Sequence, residues 1–435
     1  MNVVFFSMVV VAFLKTAWHQ LRWIPAAGSV SPMERLSKAV VESAAGSVEL
    51  ALGLIGVMTL FLGLMKVAEA GGLLTILSRL IRPLTVRLFP DVPAEHPAMG
   101  AMILNFSANV MGLGNAATPF GIRAMQELEK LNPHRGTATD AMVLFIAINT
   151  ASLTLLPTGV IALRAAAGSS NPAGILPTTL FATFCSTLLT ILVTKAYQRL
   201  CPVPPARFPE NPLQDPSADD PPSAPELAAP PPPPLASYPA WICVLALTAV
   251  IAVIPITVVW GKAISPWIVP ALVTAFLGFG AARKVRIYEV FVEGARDGFE
   301  VAVKIIPYLV AILVAIGMLR ASGVLDTVVG TLGTWTSRVG LPAEGLLMAM
   351  MRSLSGSGAY GVLASIINNP EIGPDSYTGY LVSTLQGSSE TTFYVLAVYF
   401  GSVQVKRIRH ALAAGLTGDV IAVVMSVFIC WYLYG

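Results

Sequence analysis

Apolar runs that approach the length of a bilayer-spanning helix recur along the whole chain. A helix needs about 20 predominantly apolar residues to cross the hydrocarbon core. Only 12% of the 435 residues are charged, about half the share of a soluble domain, and the mean hydropathy is +0.72. Because backbone polar groups in lipid must pair within their own segment, helices are the expected elements. The sequence predicts an all-α polytopic protein, multi-pass in the bacterial cytoplasmic (inner) membrane.

Charge and motif content exclude several classes of function. The net charge of +3 is scattered, without the basic stripe that binds nucleic acid. The four cysteines and four histidines are dispersed, with no CxxC or HExxH spacing, so no metal site and no cofactor are expected. No GxxxxGK[ST] loop for ATP is present. The expected partners are the lipid bilayer and a small molecule or ion, and a homo-oligomer is left open.

Two polar, glycine-broken segments interrupt the apolar chain. The first is NFSANVMGLGNAATPFG, residues 105–121, and the second is RSLSGSGAYG, residues 352–361. Broken backbone at membrane depth is tolerated where it is buried in protein or lines a wet cavity. Such segments in corresponding positions of two halves indicate a transporter's binding site. We expect a gate segment at residues 98–122 and another at residues 343–368.

A proline-rich stretch divides the chain into two related halves. Residues 202–239 hold 15 of the 33 prolines, a composition typical of a solvated, disordered linker. The predicted units are a membrane half at 1–200, a linker at 201–239 and a membrane half at 240–435. At an offset of 251 residues, Glu49, Ala70 and Gly72 fall on Glu300, Ala321 and Gly323. This order predicts an internal duplication.

Hydrophobic runs predict the individual helices. Residues 72–89 carry an arginine every three to five positions and predict an amphipathic helix on the membrane surface. Runs that predict transmembrane or apolar helices lie at 3–14, 48–64, 141–163, 176–193, 241–259, 267–279, 301–319, 381–400 and 411–432.

Basic loops predict how the halves sit in the membrane. Residues 283–286 and 406–410 are both basic and should both be cytoplasmic. Two helices and the second polar break lie between them, so an even number of crossings makes the break a re-entrant hairpin. The same reasoning applied to residues 66–87 and 123–135 makes the first break re-entrant and the two halves inverted. Residues 15–42, which carry four basic residues, disagree with the scheme.

The motifs resemble a known family. GLMKVAEAGGL, LFPDVPAEHPAMG, LGNAATPFGI and AINTASLTLLPT resemble spore maturation protein A along most of residues 1–200. FVEGARDGFEVAVKIIPYLVAILVA, LQGSSETTFYVLAVYFG and the final helix resemble spore maturation protein B over about residues 240–435. Both carry the nucleoside recognition, or gate, domain, which is also found in concentrative nucleoside transporters. The resemblance implies a fusion of two proteins that work as a pair, and it does not imply a nucleoside substrate.

The candidate binding residues are amides, hydroxyls and one arginine in the polar segments. Asn105 and Asn109 are four residues apart and should share a helix face. A break beside them can hold a cation or polar substrate, or the side chains only satisfy the backbone and join helices. The candidates are Asn105, Asn109, Asn115, Thr118, Asn149, Thr150, Thr154, Arg352, Ser353, Ser355, Ser357, Gln386, Ser388, Ser389, Glu390 and Thr391.

Two acids within the predicted helices are candidate ion-coupling groups. Glu390 is the stronger, because an acid within the membrane is costly and usually functional. The alternative is that Glu390 pairs with Arg352 and only fixes the fold, or that Arg352 holds an anionic substrate. Asp419, inside the last helix, is the second candidate unless it lies near enough to one end to stay hydrated.

The leading hypothesis is a permease or secondary transporter with a central polar site between two inverted halves, moving a small polar solute or ion. The alternative is a membrane scaffold that organises envelope or spore-maturation partners, in which the polar breaks are packing devices. An intramembrane hydrolase using Ser355 or Ser388 is the weakest reading, because no histidine or lysine base lies in those segments.

Overall fold

The computed structural model describes residues 2–25, 29–112, 117–200, 238–324, 327, 333 and 335–435. Within these ranges the elements are helical, apart from one isolated parallel bridge between Thr137 and Arg407. Most of the predicted linker, residues 201–237, lies outside the described residues. The helices described in the first half are α1 Asn2–Leu21, α2 Pro32–Ala70, α3 Leu73–Leu88, α4 Pro97–Val110, α5 Thr118–Lys130, α6 Asp140–Ala151, α7 Thr158–Ala166 and α8 Leu176–Leu200.

The second half repeats this order. In each half, two long helices are followed by a helical hairpin, a broken helix and a final straight helix, as in α1, α2 and α4 to α8 of the first half. The seven helices described in the second half are α9 Ala240–Ala282, α10 Ile287–Ala321, α11 Ala343–Leu354, α12 Gly356–Ile367, α13 Tyr377–Gly387, α14 Thr392–Ser402 and α15 Ala411–Tyr434. Two short 3-10 helices, Pro172–Ile175 and Ser337–Val339, lie between them.

The corresponding long helices α2 and α10 pack against each other in opposite directions. Gly63, near the end of α2, lies against Phe291 at the start of α10, whereas Ser43, near the start of α2, lies against Gly317 at the end of α10. These glycines admit close approach of the two backbones. The offset between the helix ends Ala70 and Ala321 is the 251 residues expected from the duplication.

The corresponding final helices α8 and α15 are also antiparallel. Phe181, near the start of α8, stacks on Phe428 near the end of α15, with ring centroids 6.0 Å apart. Near the end of α8, Tyr197 Oη lies 3.3 Å from Thr417 Oγ1, in the first two turns of α15. Equivalent helices of the two halves therefore run in opposite directions at both contacts.

Two of the predicted helices are broken, and the prediction of continuous helices over 141–163 and 381–400 is wrong. The first breaks between α6 and α7, where Ser152 leaves the helical region (φ 5°, ψ 102°) and Pro157 supplies no N–H. The second breaks between α13 and α14, at residues 388–391. No proline lies in the second break, whose backbone groups bond to other elements instead.

The other helix predictions differ in length. The separate helices expected at 241–259 and 267–279 form one helix, α9, which continues through Gly261 and Pro266. The run at 48–64 belongs to the 39-residue α2, which begins at Pro32 with Ser31 as its N-cap. Residues 73–88 form the expected amphipathic helix, which follows α2 at a 70° bend.

Both predicted gate segments are helical hairpins. The first consists of α4 and α5, with residues 113–116 outside the described part of the chain. Gly112 ends α4 with φ +76°, and a Cβ there would collide with the Leu156 carbonyl oxygen of the first broken helix. In the second hairpin, one extended residue, Ser355, separates α11 from α12, and its Oγ accepts a hydrogen bond from Gly358 N at 3.0 Å.

Two apolar clusters occupy opposite ends of the molecule. One is built on the first hairpin and α6, and includes Leu128, Phe145 and Phe400. The other is built on α7, the second hairpin and α13, and includes Ile161 and Leu381. Along each broken helix the order is therefore apolar, polar, apolar, so that the two breaks lie between the clusters.

Two of the helices searched in the described residues are long and apolar enough to cross a membrane alone. They are Pro172–Leu200 and Ala411–Tyr434. The bent pair Met58–Ala70 with Leu73–Leu88 raises the number to three if it forms one span. The two broken helices do not add to this number, because each of their parts, α6, α7, α13 and α14, is too short to cross a membrane by itself.

Candidate functional site

The breaks of the two halves meet directly. Glu390 N, in the second break, donates a hydrogen bond to Thr150 O at the end of α6, at 2.8 Å. Leu155 N, in the first break, donates to Val110 O at the end of α4, at 3.0 Å. Helix ends leave N–H and C=O groups without intrahelical partners, and here other elements supply some of those partners. Each break is thereby fixed to its neighbours.

An amide network joins the first hairpin to both broken helices. Asn109 Nδ2 donates to Asn149 Oδ1 at 2.9 Å, and Asn149 Nδ2 donates back to Phe145 O at 2.9 Å. Asn105 Nδ2 donates to Ala117 O at 3.0 Å and to Tyr399 Oη at 3.3 Å. Asn105 and Asn109 thus share a helix face, as their spacing predicts. Asn105 Oδ1 is buried without a hydrogen-bond partner.

Arg352 ties the second hairpin to the second break. Its side chain, in the last turn of α11, is 8% exposed. Nη1 donates to Thr391 Oγ1 at 3.0 Å, and Nη2 donates to Ser389 O. Nε, also buried, has no hydrogen-bond partner. The guanidinium therefore satisfies a carbonyl and a hydroxyl that the break leaves free.

Glu390 pairs with Arg352, with Nη2 and Oε2 3.5 Å apart. The Glu390 side chain is 39% exposed, so the rest of the protein leaves its carboxylate accessible while the guanidinium stays buried. The pairing expected as the structural alternative is therefore present. It does not consume Glu390, because a partly exposed carboxylate with one long ionic contact retains sites for another donor or cation.

Asp419, inside α15, lines the same small cavity as Arg352. It is 9% exposed, and its Oδ2 accepts a hydrogen bond from Thr392 Oγ1 at 2.9 Å. The other carboxylate oxygen, Oδ1, is buried and has no hydrogen-bond partner. A cavity of about 10 Å³, the least that holds one water molecule, is lined by Ala349, Arg352, Ser353, Leu385, Ser388, Ser389, Asp419, Ala422 and Val423.

These groups form what we call the polar layer. Gln386 also belongs to the polar layer; it is 3% exposed, and its Oε1 lacks a hydrogen-bond partner. Within the described ranges, no three His, Cys, Asp or Glu side chains are grouped to hold a metal ion. The polar layer consists of Asn105, Asn109, Asn149, Thr150, Arg352, Ser353, Gln386, Ser388, Ser389, Glu390, Thr391 and Asp419.

Several predicted residues lie at the margin of the polar layer or have local roles. Thr154 Oγ1 donates to Ser152 O in its own break, at 3.4 Å. Thr118 begins α5 and is half-buried, as is Ser357 in the first turn of α12. Ser355 caps α12. Asn115 lies outside the described residues.

The two serines of the hydrolase reading have structural hydrogen bonds. Ser355 Oγ accepts from the Gly358 backbone, as above. Ser388 Oγ donates to Leu385 O at 3.2 Å and accepts from Ser426 Oγ at 3.3 Å. Neither hydroxyl is oriented by a base in these contacts.

Tyr399 is the member of the network that the sequence reasoning did not identify. Its hydroxyl lies between Asn105 and Asn149, 3.3 Å from Nδ2 of the first and 3.5 Å from Oδ1 of the second. Tyr399 lies seven residues after Thr392, hence on the same helix face. This spacing from Thr392 is the sequence feature that could have placed Tyr399 at the site. It is easily overlooked, because an aromatic residue is ordinary in an apolar helix.

Two of the ion pairs between the halves lie on either side of the polar layer. Near the apolar cluster of the first hairpin, Arg409 Nη1 donates to Asp140 Oδ1 at 2.6 Å. The same loop donates from its backbone, Lys406 N and Arg407 N, to Gly136 O, both at 2.9 Å. The predicted basic loop at 123–135 is helix α5 as far as Lys130. The residues that follow it, 136–140, meet the basic loop at 406–410.

The second ion pair lies beside the other apolar cluster. Arg164 in α7 is fully buried, and its Nη2 donates to Asp375 Oδ1 at 2.9 Å. Its Nη1 donates to Pro374 O at 2.6 Å, and the guanidinium carbon lies 4.3 Å from the Tyr380 ring centroid. Burial raises the pKa of the Asp375 carboxyl. Hydrogen bonds from the two serines at 169 and 170 and the charge of Arg164 outweigh burial, so the net pKa lies below its ordinary 3.8.

Comparison with proteins of known structure gives two distant likenesses. One is the transporter YdaH of Alcanivorax borkumensis, described as having an unusual topology, with a TM-score of 0.39 and 15% identity over 98% of this chain and 97% of that one. The other is a doubly substituted CNTnw in an outward-facing state, with a TM-score of 0.39 and 12% identity over 98% of this chain and 90% of that one.

Sequence comparison is more specific. Spore maturation protein A of Bacillus subtilis is 44% identical over 165 residues, which are 38% of this chain and 84% of that protein. Spore maturation protein B of the same organism is 45% identical over 167 residues, 38% of this chain and 93% of that protein. This pattern is consistent with a fusion. The Gate domain, described as nucleoside recognition, matches residues 51–167 and 302–406, one segment in each half. The chain belongs to the Gate nucleoside recognition family.

Proposed function

We propose that this multi-pass membrane protein is a secondary transporter that moves a small polar solute or ion through the polar layer. One observation carries the proposal: the breaks of both halves form a single polar layer, with charged groups inside it, between two apolar clusters. Burying Arg352 and Asp419 there costs free energy unless the groups have a function or full pairing. Arg352 Nε and Asp419 Oδ1 are without hydrogen-bond partners.

The relation between the halves supports an alternating mechanism. Corresponding helices run antiparallel, as inverted repeats in a membrane would. The bases of the two hairpins lie with different apolar clusters, the first with that of Leu128 and the second with that of Ile366. We propose that each hairpin is re-entrant from its own side of the cytoplasmic membrane and that the solute meets both hairpin tips midway.

Within this site the residues have distinct proposed roles. Glu390, partly exposed, meets the solute or a cation, and Arg352 fixes the second break and attracts anionic groups. The amides of Asn109 and Asn149 offer hydrogen bonds to a neutral polar solute. The charge set contains both signs, so it selects for polar solutes in general without naming one.

A scaffold remains the second candidate, and one observation favours it. The cavity in the polar layer is only about 10 Å³, so a solute larger than water enters only after the halves move. If they never move, the polar layer joins helices and nothing passes.

Flux measurement in liposomes tests the proposal. Purified full-length protein is reconstituted, and uptake of a panel of labelled nucleosides, amino acids, organic acids and inorganic ions is followed with and without Na⁺ and proton gradients. The variant Glu390→Gln is compared with Glu371→Gln, an exposed glutamate in the loop before α13. We expect gradient-dependent uptake of at least one solute, reduced about tenfold or more by Glu390→Gln and unchanged by Glu371→Gln.

Each other outcome changes the conclusion. Uptake that survives Glu390→Gln keeps the transporter and reduces Glu390 to a structural partner of Arg352. Absence of flux across the panel, from protein whose thermal unfolding shows that it is folded, contradicts transport and supports the scaffold.

A further inference from the structure

The surroundings of Asp419 differ from those of Glu390, the other acid in the polar layer. Glu390 has an ionic partner and a side chain that is 39% exposed, whereas Asp419 is nine-tenths buried and forms no ion pair among the described residues. The hydroxyls that face its carboxyl group are those of Thr392, which donates to Oδ2 at 2.9 Å, and of Ser353. The helix around it packs tightly: Gly415 lies against Thr392 and Thr150, and Gly418 lies against Thr190.

The charged groups that face Asp419 do not neutralise it. Arg352, from α11, lines the same small cavity, but its Nη atoms bond to Thr391, Ser389 and Glu390. Beside the glycines of α15, α6 presents the methyl group of Thr150 and α8 presents the hydroxyl of Thr190. An ionised carboxylate that is buried with only hydroxyl donors and no ion-pair partner is strongly disfavoured.

The cavity beside Asp419 suits the acid form instead. Ser353, Ser388 and Ser389 line it, and each hydroxyl or carbonyl oxygen there is an acceptor for a carboxylic O–H. A single water in the cavity would also accept that hydrogen bond, and would in turn reach the buried Nε of Arg352. Protonation thus explains the unpartnered Oδ1, because Oδ1 becomes a donor.

We propose that Asp419 is a proton-binding site, and that it is the residue through which the transporter uses a proton gradient. The proposal rests on the proposed function for its coupling role, but not for the bound proton. Arg352 is the link between proton and solute. When Asp419 loses its proton, the new carboxylate competes with Glu390 for the guanidinium, and the second break loses the contacts that Arg352 makes to Ser389 and Thr391.

The bound proton is tested without any substrate. Full-length protein in liposomes is treated at neutral pH with a hydrophobic carbodiimide, which modifies protonated carboxyl groups in apolar surroundings, and labelled peptides are identified by mass spectrometry. Infrared spectra of protein with isotope-labelled aspartate are recorded in the carboxylic-acid carbonyl region. Asp419→Asn is compared with Glu371→Gln, which changes an exposed glutamate outside the polar layer.

We expect the infrared band of a protonated aspartate at neutral pH, absent in Asp419→Asn and retained in Glu371→Gln, and carbodiimide labelling with the same pattern. Absence of the band from the unmodified protein at neutral pH overturns the proposal, whether or not the reagent reaches the site. A band that survives in Asp419→Asn also overturns the proposal.

The coupling role has its own readout. For a solute found in the flux panel, Asp419→Asn should lose accumulation driven by a pH gradient, while exchange of labelled for unlabelled solute continues. Accumulation by a pH gradient in the folded variant would overturn the coupling role. If no solute is transported but Asp419 is protonated, the proposed function fails and the proton site stands.

Discussion

Asn149 shows how a single polar residue holds the layer together. It is 2% exposed, accepts from Asn109 and donates to the carbonyl of Phe145. Tyr399 lies at its other side, with Oη 3.5 Å from Oδ1. A buried amide whose partners come from three elements fixes their relative positions, since any displacement leaves a polar group unpaired. Asn109 is half-buried, so its amide can turn to water.

This difference in burial predicts unequal costs. Asn149→Ala should lower the free energy of unfolding by roughly 1 to 3 kcal/mol, because buried partners remain unpaired. Asn109→Ala should cost less, about 1 kcal/mol or below. Thermal unfolding of the single variants and the double variant measures both costs and their coupling. Additive costs without coupling would contradict a direct hydrogen bond between the two side chains, and equal costs would contradict the argument from burial.

At the scale of elements, two tyrosine–glycine contacts connect the halves reciprocally. Tyr399 of α14 lies with its hydroxyl where a Cβ of Gly121 in α5 would be, and Tyr360 of α12 lies likewise against Gly159 in α7. In each case a hairpin helix of one half meets the second part of the other half's broken helix. The glycines permit this approach because they lack a side chain.

Filling either contact should separate hairpin from broken helix. Gly121→Ala should destabilise the protein by roughly 1 to 3 kcal/mol through overpacking, and Gly121→Ala with Tyr399→Phe should recover part of the loss, because the hydroxyl is the nearest atom. Gly278→Ala, at a helical glycine with open space around it, serves as the control. A fall in melting temperature as large for Gly278→Ala as for Gly121→Ala would show that the effect comes from the helix backbone, not from Tyr399.

The elements also show what the sequence could predict. Hydrophobic runs, proline content and the offset of 251 residues were enough for an all-helical chain with two related halves and two gate segments. The sequence predicts one continuous helix at 141–163 and another at 381–400, and it does not predict the breaks between α6 and α7 and between α13 and α14. Apolar runs on both sides of a break look the same as one helix, and the second break has no proline. What interrupts that helix is bonding to Thr150 and Arg352, which lie far away in sequence.

The candidate site was predictable where polar residues are rare and not where they are ordinary. An acid or arginine inside an apolar run is conspicuous, so Arg352, Glu390 and Asp419 were all identified. Their order of importance was not, because exposure decides it: Glu390 is 39% exposed and Asp419 9%. The ion pair of Arg164 with Asp375 was missed for the same kind of reason, since an arginine near a helix end reads as a solvated one.

For the whole molecule, the ion pairs of Arg409 with Asp140 and of Arg164 with Asp375 are arranged reciprocally. Asp140 begins the first broken helix and pairs with Arg409, which follows the second. Asp375 precedes the second broken helix and pairs with Arg164, near the end of the first. Each pair therefore joins the two broken helices at one end of the molecule. Movement of the halves that opens the polar layer at one end must strain or break the pair at that end.

The pair at Asp375 gives this arrangement a dependence on pH. The pKa of Asp375 lies below its unfolded value of 3.8, so its stabilisation is present above pH 3.8 and is lost as the pH falls through the lower, folded-state pKa. Asp375→Asn should therefore be less stable than the unmodified protein at neutral pH, by roughly 1 to 2 kcal/mol because the carboxylate is one-third exposed. The difference should shrink as the pH is lowered towards about 3. Thermal unfolding in detergent across this range measures it, with Glu371→Gln in the same loop as control. A constant difference at every pH would mean that the Asp375 charge does not hold Arg164, and that the carbonyls around that guanidinium suffice to close this end of the molecule.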